Sequence, residues 1–563
     1  MNNKSKKFNK FKLLLEKNKR FRTVAITVAI ILGVLLFSAF SAFMLHIDGN
    51  DRVTAAISSE PERLDPTFCT DISTETVLVN CFEGLMKIDE KGNAVKAAAS
   101  DYTVSEDGLV YTFTISPHSL WSDGTAVQAS DFVYAWRRTA NPYNASSYAY
   151  MFESIEGFDK VLGDFEKEQD GLKDEEGNYI TMDMADLWVK AADSRTLVVK
   201  LKEKDPSFLH KCASVGFMPL CEKSVKPFTR IWSTDPKKFV SNGAFRLLSW
   251  TGGSYLDLVP NEHYRDKENV SLKSMKFYFV SDGQEALSMF NRGKILFTGV
   301  LPEDKLVKTS KNKNYTSYEN TGAYFLYFNL NEAPFDDARV RQALTLAIDR
   351  EELIKNTAKT RGIAASGLIS DAFSQFRQSG EEYFRTDETD ANIRKAKALL
   401  AEAGYENGKG FPQFEYLFND NTFSRETAEL LAQMWKENLG INCMLRSVSW
   451  SKLEEMRNDG NFTVAKGGLM TPYNDAGFML EKFTTEENFC GWKNGEFDKL
   501  VSQMMKTQGD SRNSLAHKAE KILMSDWVIC PLYYYADGYL ASDRIENFYV
   551  TNSGVAYFVN AEV

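Results

Sequence analysis

The chain has 563 residues, of which 43% are hydrophobic and 13% aromatic, so it can bury more than one core and is not a disordered chain. Its formal net charge of −10 is uneven: residues 1–22 hold nine basic and one acidic side chain, which leaves −18 on the rest. An acidic body of this kind argues against nucleic acid as a partner.

A run of uncharged, mainly apolar residues, 23–45, follows the basic segment. At about 1.5 Å per residue a helix of this length crosses a bilayer. The positive-inside rule keeps residues 1–22 in the cytoplasm, so we expect a signal anchor in the cell membrane with the body of the chain on the extracytoplasmic side. Small residues between Ala39 and Ala42 leave cleavage open as an alternative. A lipoprotein signal is disfavoured because the first cysteine is Cys69.

The seven cysteines and five histidines have none of the spacings of metal or redox motifs. An odd number of cysteines leaves at least one unpaired, and a disulfide among the others stays open. The chain also lacks the G-x-x-x-x-G-K-[ST] loop of nucleotide hydrolases and the G-x-S-x-G elbow of serine hydrolases. We therefore expect no cofactor, no metal site and no enzymatic activity.

Three features of the first half of the chain predict local structure. Tyr102–Ile115 alternates apolar and polar residues around Asp107-Gly108, which predicts a hairpin. Residues 159–183 are charged and contain glycine, which indicates a solvated surface excursion. Leu197–Leu201 is typical of a short strand.

The second half predicts helices alternating with strands. A strand-like lead at 324–330 runs into a helix whose apolar positions, Val340, Ala343, Leu344, Ala347 and Ile348, share one face, with Asp336 or Asp337 as its cap. Two more helices are predicted at 391–405 and 424–439, the second stopped by Gly440, and a strand at 441–449. This alternation favours an α/β fold.

Several separated blocks, taken together and in order, resemble the signature blocks of the oligopeptide/dipeptide-binding proteins of ABC importers, solute-binding protein family 5. The blocks are Leu64–Pro66 (LDP), Cys81–Leu85 (CFEGL), Trp121–Gly124 (WSDG), Asp131–Arg138 (DFVYAWRR), Val240–Phe245 (VSNGAF), Asn329–Arg350 (NLNEAPFDDARVRQALTLAIDR) and Pro531–Tyr535 (PLYYY).

The resemblance implies an α/β clamshell like that of the periplasmic binding proteins (type II, cluster C), with two lobes and an extra inserted domain. Domain I would comprise 51–95, 218–322 and 533–563, domain II 96–217, and domain III 323–532. The lobes would close over a ligand through a hinge. Such a monomer would deliver its solute to a permease and an ATPase that are separate polypeptides.

The ligand-facing segment of the family corresponds to Ala465–Asp475, AKGGLMTPYND. A cleft can bind a peptide backbone as an added strand, and Gly467, Gly468 and Met470 would serve that role. Relatives have a tryptophan where this chain has Leu469.

Relatives also have an aspartate that binds the ligand's α-ammonium, and here that position is Pro472. Proline has neither charge nor N–H. Either Asp475 or Asp71 takes over this role, or the ligand has no α-amine.

The resemblance implies further ligand-facing residues. Trp450, Arg457 and Lys466 correspond to positions that line pockets or meet a ligand carboxylate, Ile72 and Ser73 follow Asp71 in the cleft, and Tyr473 is retained. We expect Trp450 to be a buried wall, and Arg457 is equally compatible with a surface helix residue. Peptide capture is the function implied, with a non-peptide solute binder or a ligand sensor on the same fold as alternatives because of Pro472.

Overall fold

The fold is described from a computed structural model of the chain, which describes residues 51–228, 230–373, 376, 382–471 and 473–563. The predicted anchor at 23–45 and Pro472 lie outside the described residues. Within the described ranges, no helix has both the length and the apolar character that crossing a membrane requires.

The strands of the described residues lie mainly in one large mixed sheet. They are β1 Arg52–Ile57, β2 Met86–Ile88, β3 Ala94–Lys96, β4 Ala99–Val104, β5 Val110–Ile115, β6 Val189–Ala191, β7 Thr196–Lys200, β8 Phe245–Thr251, β9 Tyr255–Pro260, β10 Ser274–Phe279, β11 Phe297–Thr298, β12 Tyr315–Phe328, β13 Gly362–Ala364, β14 Phe414–Asn419, β15 Cys443–Val448, β16 Val464–Lys466, β17 Leu469–Met470, β18 Ile529–Ala541, β19 Tyr549–Val550 and β20 Ala556–Tyr557.

The helices flank these strands. They are α1 Ile72–Cys81, α2 Ala129–Ala140, α3 Phe158–Gln169, α4 Phe208–Lys211, α5 Glu222–Phe228, α6 Gly283–Asn291, α7 Leu306–Thr309, α8 Ala338–Leu346, α9 Arg350–Leu353, α10 Thr389–Glu402, α11 Thr422–Leu439, α12 Trp450–Asn458, α13 Ala476–Glu481, α14 Gly495–Met504 and α15 Gly509–Ser525.

Two long strands, β12 and β18, join the halves of the large sheet. The sheet order is β15-β14-β16-β12-β18-β11-β1-β10-β9-β8, with β13 on β18 and β17 on β12. β12 and β18 pair antiparallel, and their register shifts between Glu319 and Ala323. A shift of this kind interrupts the ladder and bends the strands locally.

Apolar cores lie on either side of this junction. One core joins residues between 53 and 297 with residues 545–561, and we call this part lobe 1. Lobe 2, between residues 323 and 534, has two cores, because Ala323, Phe325 and Tyr327 face one and the alternate residues of β12 face the other. A strand buried on both faces reads as a continuous apolar run, as β12 does.

The four-stranded sheet β4-β5-β7-β6 lies between residues 99 and 200, and its apolar side shares the core of lobe 1. This sheet lies inside the segment expected to form domain II. The predicted domain boundaries themselves stay predictions.

Most of the predicted elements are confirmed. β4 and β5 form the hairpin, with Gly108 at φ +75°, a conformation that glycine adopts without strain. Asp337 caps α8 by accepting from the amide of Arg339. α11 ends at Gly440, which is left-handed at φ 72°.

The segment 159–183, expected to be a solvated part of the surface, is largely exposed, but its first part forms the helix α3, which the sequence did not predict. Phe158 and Val161 are buried, and Phe165 packs edge-on against Tyr143 with ring centroids 4.9 Å apart. These apolar residues have helical spacing, but the acidic and lysine residues between them, together with Gly163, conceal it.

All seven cysteines carry free thiols, and six of them are buried. They pack as small apolar residues, and burial raises the pKa of the Cys69 thiol to about 12.

Candidate ligand-binding site

The chain from Val464 to Thr471 follows β12 in one unbroken antiparallel register through β16 and β17. The amide of Gly467 donates to the carbonyl of Phe325 (2.7 Å), and the amide of Thr471 donates to that of Thr321 (2.9 Å). Since backbone groups alternate in direction along a strand, the amides of Gly468 and Met470 point away from β12. The segment therefore presents an open edge that a ligand backbone can pair with.

The close packing of neighbouring side chains leaves no room for a side chain at Gly467 or Gly468. A Cβ at Gly467 would lie 2.6 Å from the ring of Phe325, and one at Gly468 would lie 2.6 Å from the hydroxyl of Tyr535. The side chain of Met470 is 56% exposed on the same segment. The two glycines thus keep the edge close to the sheet, which leaves its outer side accessible.

Two cationic side chains lie side by side at one end of the edge. The ammonium of Lys466 donates to Asn419 Oδ1 (2.6 Å) and Ser424 Oγ (3.0 Å), and the guanidinium of Arg457 donates to the carbonyl of Lys466 (3.1 Å). Neither has a carboxylate partner among the described residues. Burial and the charge of Arg457 lower the pKa of Lys466 to about 8. Two uncompensated positive charges favour an anionic group here.

Trp450 covers this cationic pair, 5.7 Å from each charged group. The expectation of a buried wall is wrong, because the side chain is half exposed at the first position of α12. Arg457 also lies over the rings of Tyr327 and Phe489, at 5.8 and 5.6 Å. Although Arg457 is on a surface helix, its guanidinium is therefore turned inward, towards β16.

The start of α1 faces the cleft from lobe 1. Asp71 caps the helix by accepting from the amide of Thr74 (2.9 Å) and from its hydroxyl (2.7 Å), and it also accepts from Ser59. Ile72 is half exposed, and the hydroxyl of Ser73 pairs with that of Ser58. Ile72 and Ser73 line a cavity of about 630 Å³ against the strands that join the lobes.

Asp475 and Tyr473 make contacts within the protein. Both carboxylate oxygens of Asp475 accept from one nitrogen of Arg512, at 2.7 and 2.8 Å, and the side chain also caps α13. Tyr473 reaches lobe 1, where its ring lies 5.6 Å from the ammonium of Lys211.

The expectation that Asp475 or Asp71 replaces the missing carboxylate stays a prediction, and the contacts of both side chains within the protein weigh against it. Arg512 neutralises Asp475, and Asp71 is engaged as a helix cap. A third acidic residue, Glu75, lies one turn further along α1 and lines a cavity of about 80 Å³ together with Thr471 and Asn474. Its position one helical turn after Asp71 is the signal in the sequence that could have identified it.

Among the described residues, no three His, Cys, Asp or Glu side chains are arranged to hold a metal ion. The side chains that face the cleft are suited to hydrogen bonding and charge pairing with a ligand.

Comparison with known proteins matches this architecture. The profile described as "Bacterial extracellular solute-binding proteins, family 5 Middle" matches residues 93–489. The periplasmic oligopeptide-binding protein OppA of Salmonella typhimurium is 31% identical over 514 residues, which cover 88% of this chain and 90% of that protein.

Two solved structures are similar over nearly the whole fold. The unliganded open form of the murein tripeptide-binding protein MppA superposes with a TM-score of 0.81 at 28% identity, covering 91% of this chain and 97% of that one. Peptide-bound OppA of Listeria monocytogenes superposes with a TM-score of 0.61 at 26% identity, covering 92% and 99%.

Proposed function

The chain belongs to the bacterial extracellular solute-binding proteins of family 5, and from this premise we propose that it captures short peptides between its lobes and delivers them to an ABC importer. Relatives matched over most of their length carry the names of oligopeptide- and dipeptide-binding proteins, which supports peptides as the solute.

The observation that carries the proposal is the open edge of β17 with the cationic pair at its end. Gly468 and Met470 offer outward amides to any peptide backbone, independent of its side chains. Lys466 and Arg457 attract a carboxylate, which every free peptide has at its C-terminus. A site of this kind recognises what peptides have in common.

We assign ligand contact to Ile72 and Ser73 on lobe 1 and to Gly468, Met470, Lys466, Arg457 and Trp450 on lobe 2. Asp71, Tyr473 and Asp475 support the walls of the cleft, because the carboxylates of Asp71 and Asp475 are engaged within the protein and the ring of Tyr473 lies near Lys211 of lobe 1.

We propose that this structure represents the open, ligand-free arrangement of the two lobes. At similar sequence identity, the superposition on an unliganded open structure gives a higher TM-score, 0.81, than that on a peptide-bound structure, 0.61. Closure would bend β12 and β18 near the register shift at Glu319–Ala323. A ligand drives closure only by its higher affinity for the closed state.

The protein would be held at the membrane by residues 23–45, with 1–22 in the cytoplasm and the lobes outside as a monomer. Domain I (51–95, 218–322 and 533–563) and domain III (323–532) would form the clamshell, and domain II (96–217) would extend lobe 1. The permease and the ATPase would be separate chains.

The proposal is tested by calorimetry of the full-length protein in mild detergent with a random pool of tri- to pentapeptides. We expect saturable binding with a negative heat-capacity change, because closure buries surface. Absence of binding, with a non-peptide compound co-purifying in native mass spectrometry, would instead establish a non-peptide solute binder. Binding without any association with an importer permease would indicate a sensor.

A further inference from the structure

We propose that Glu75 binds the positively charged end of the ligand, a primary ammonium, in place of the aspartate that relatives have at the position of Pro472. This inference rests on the proposed peptide-binding function and names the group that would give it selectivity for a free amine.

The position of Glu75 supports this role. It lies in the first turn of α1 and lines the 80 Å³ cavity with Thr471, Tyr473 and Asn474 from lobe 2. Thr471 and Tyr473 are the neighbours of residue 472 in the chain. The carboxylate therefore faces the same segment that supplies the ammonium acceptor in relatives, but from the opposite lobe.

Glu75 is also a carboxylate left without a partner among the described residues. No side-chain hydrogen bond or ion pair of Glu75 exists among the described residues, whereas Asp71 has three hydrogen-bond donors and Asp475 has Arg512. Glu75 is only partly buried, and a cation that enters the cavity would give its carboxylate a partner.

The electrostatic surroundings agree with this assignment. Burial and the nearby charge of Asp71 raise the pKa of Glu75 to about 7. The position in the first turn of a helix favours the ionised form. An arriving ammonium would therefore complete the ionisation of Glu75.

A second acceptor lines the same cavity. The Nε2 of His210 is buried without a partner, and burial lowers the pKa of the imidazole. A neutral imidazole that donates through one nitrogen accepts through the other. An ammonium has three donors, so Glu75 and His210 would satisfy two of them.

The distance between the cationic end of the site at Lys466 and the acidic end near Thr471 predicts the length of the ligand. Lys466 and Thr471 are five residues apart in an unbroken strand register, or roughly 16 Å at 3.3 Å per residue. An extended peptide of about four or five residues spans this distance from its ammonium to its carboxylate.

The test compares the affinities of the peptide pool and of the same pool N-acetylated for wild type, Glu75→Gln and Glu106→Gln. Glu106 is an exposed carboxylate in the β4–β5 turn, which makes it a control for loss of charge. We expect wild type to prefer free amines about tenfold or more, as for a hydrogen bond between charged groups. Glu75→Gln should lose this preference and keep its affinity for the acetylated pool, and Glu106→Gln should retain the preference.

Two results would overturn the inference while leaving peptide binding in place. One is a Glu75→Gln protein with an unchanged preference for free amines, and the other is a wild type that binds both pools equally. If wild type binds neither pool, the proposed function itself fails and the inference fails with it. Far-ultraviolet circular dichroism checks that each variant is folded.

Discussion

Arg512 holds both carboxylate oxygens of Asp475 with a single nitrogen, at 2.7 and 2.8 Å, and the two side chains are only 8% and 10% exposed. This pairing removes from the cleft the acidic residue that lies closest in sequence to Pro472. It also fixes the start of α13, because the same carboxylate caps that helix. Asp475 is therefore a structural residue of lobe 2.

Asp475→Asn should destabilise lobe 2, because it leaves the buried guanidinium of Arg512 without its counter-charge. We expect a loss of about 3 kcal/mol in the free energy of unfolding, measured by urea denaturation followed by tryptophan fluorescence. The matched control is Asp543→Asn, which breaks the exposed ion pair with Lys313. Equal unfolding midpoints for the two variants would contradict the structural role.

Lys466 should make carboxylate binding depend on pH. Its pKa, about 8, lies below the usual 10.5, so the ammonium loses its charge as the pH rises through about 8. Peptide affinity should be highest below this pH and fall above it, with proton uptake on binding near pH 8. Calorimetry in two buffers of different ionisation enthalpy measures the uptake. Peptides with an acetylated N-terminus isolate this effect, because a free α-amine itself takes up a proton near pH 8 when it binds as an ammonium. With these acetylated peptides, Lys466→Met should abolish the uptake.

The open edge of β17 predicts that its outward amides contribute to affinity. Met470→Pro removes one of these amides, and an outward-facing position on an edge strand tolerates proline. We expect peptide affinity to fall about tenfold or more, whereas Met470→Ala, which keeps the amide, should change it little. Affinity for the peptide pool, measured by calorimetry, distinguishes the two. Similar affinities in both variants would argue against pairing of the ligand as an added strand.

Glu75 should also affect stability in the absence of ligand. Its pKa is raised from 4.5 to about 7, so the folded state favours the protonated form. The resulting stabilisation is complete below about pH 4.5 and is lost as the pH rises through about 7. Glu75→Gln should therefore unfold at a higher urea concentration than wild type at pH 8.5 but not at pH 4.5. A difference between the two proteins that is independent of pH would contradict this assignment.

Helix caps, turns and helix ends could be predicted from the sequence, because they depend on residues that are close together in the chain. The cap at Asp337, the turn at Gly108 and the stop at Gly440 each follow from local backbone chemistry, and each is present. The helix α3 was missed, because its few apolar residues lie among many charged ones. The family resemblance placed Lys466 and Arg457 in the cleft.

Contacts between residues far apart in the chain could not be predicted from the sequence. Arg512 lies 37 residues after Asp475, and no local pattern predicts that the two would pair. Glu75 was overlooked because its importance comes from the partner it lacks. That property depends on the cavity that Glu75 lines, whose residues from lobe 2, Thr471 and Asn474, are remote from it in sequence.

Ligand-driven closure of the clamshell is the central claim, and small-angle neutron scattering of the full-length chain in contrast-matched detergent tests it most directly. The account predicts that the radius of gyration falls when the tri- to pentapeptide pool is added and that the fall saturates with peptide concentration. A radius of gyration that stays constant while calorimetry reports saturated binding would contradict it.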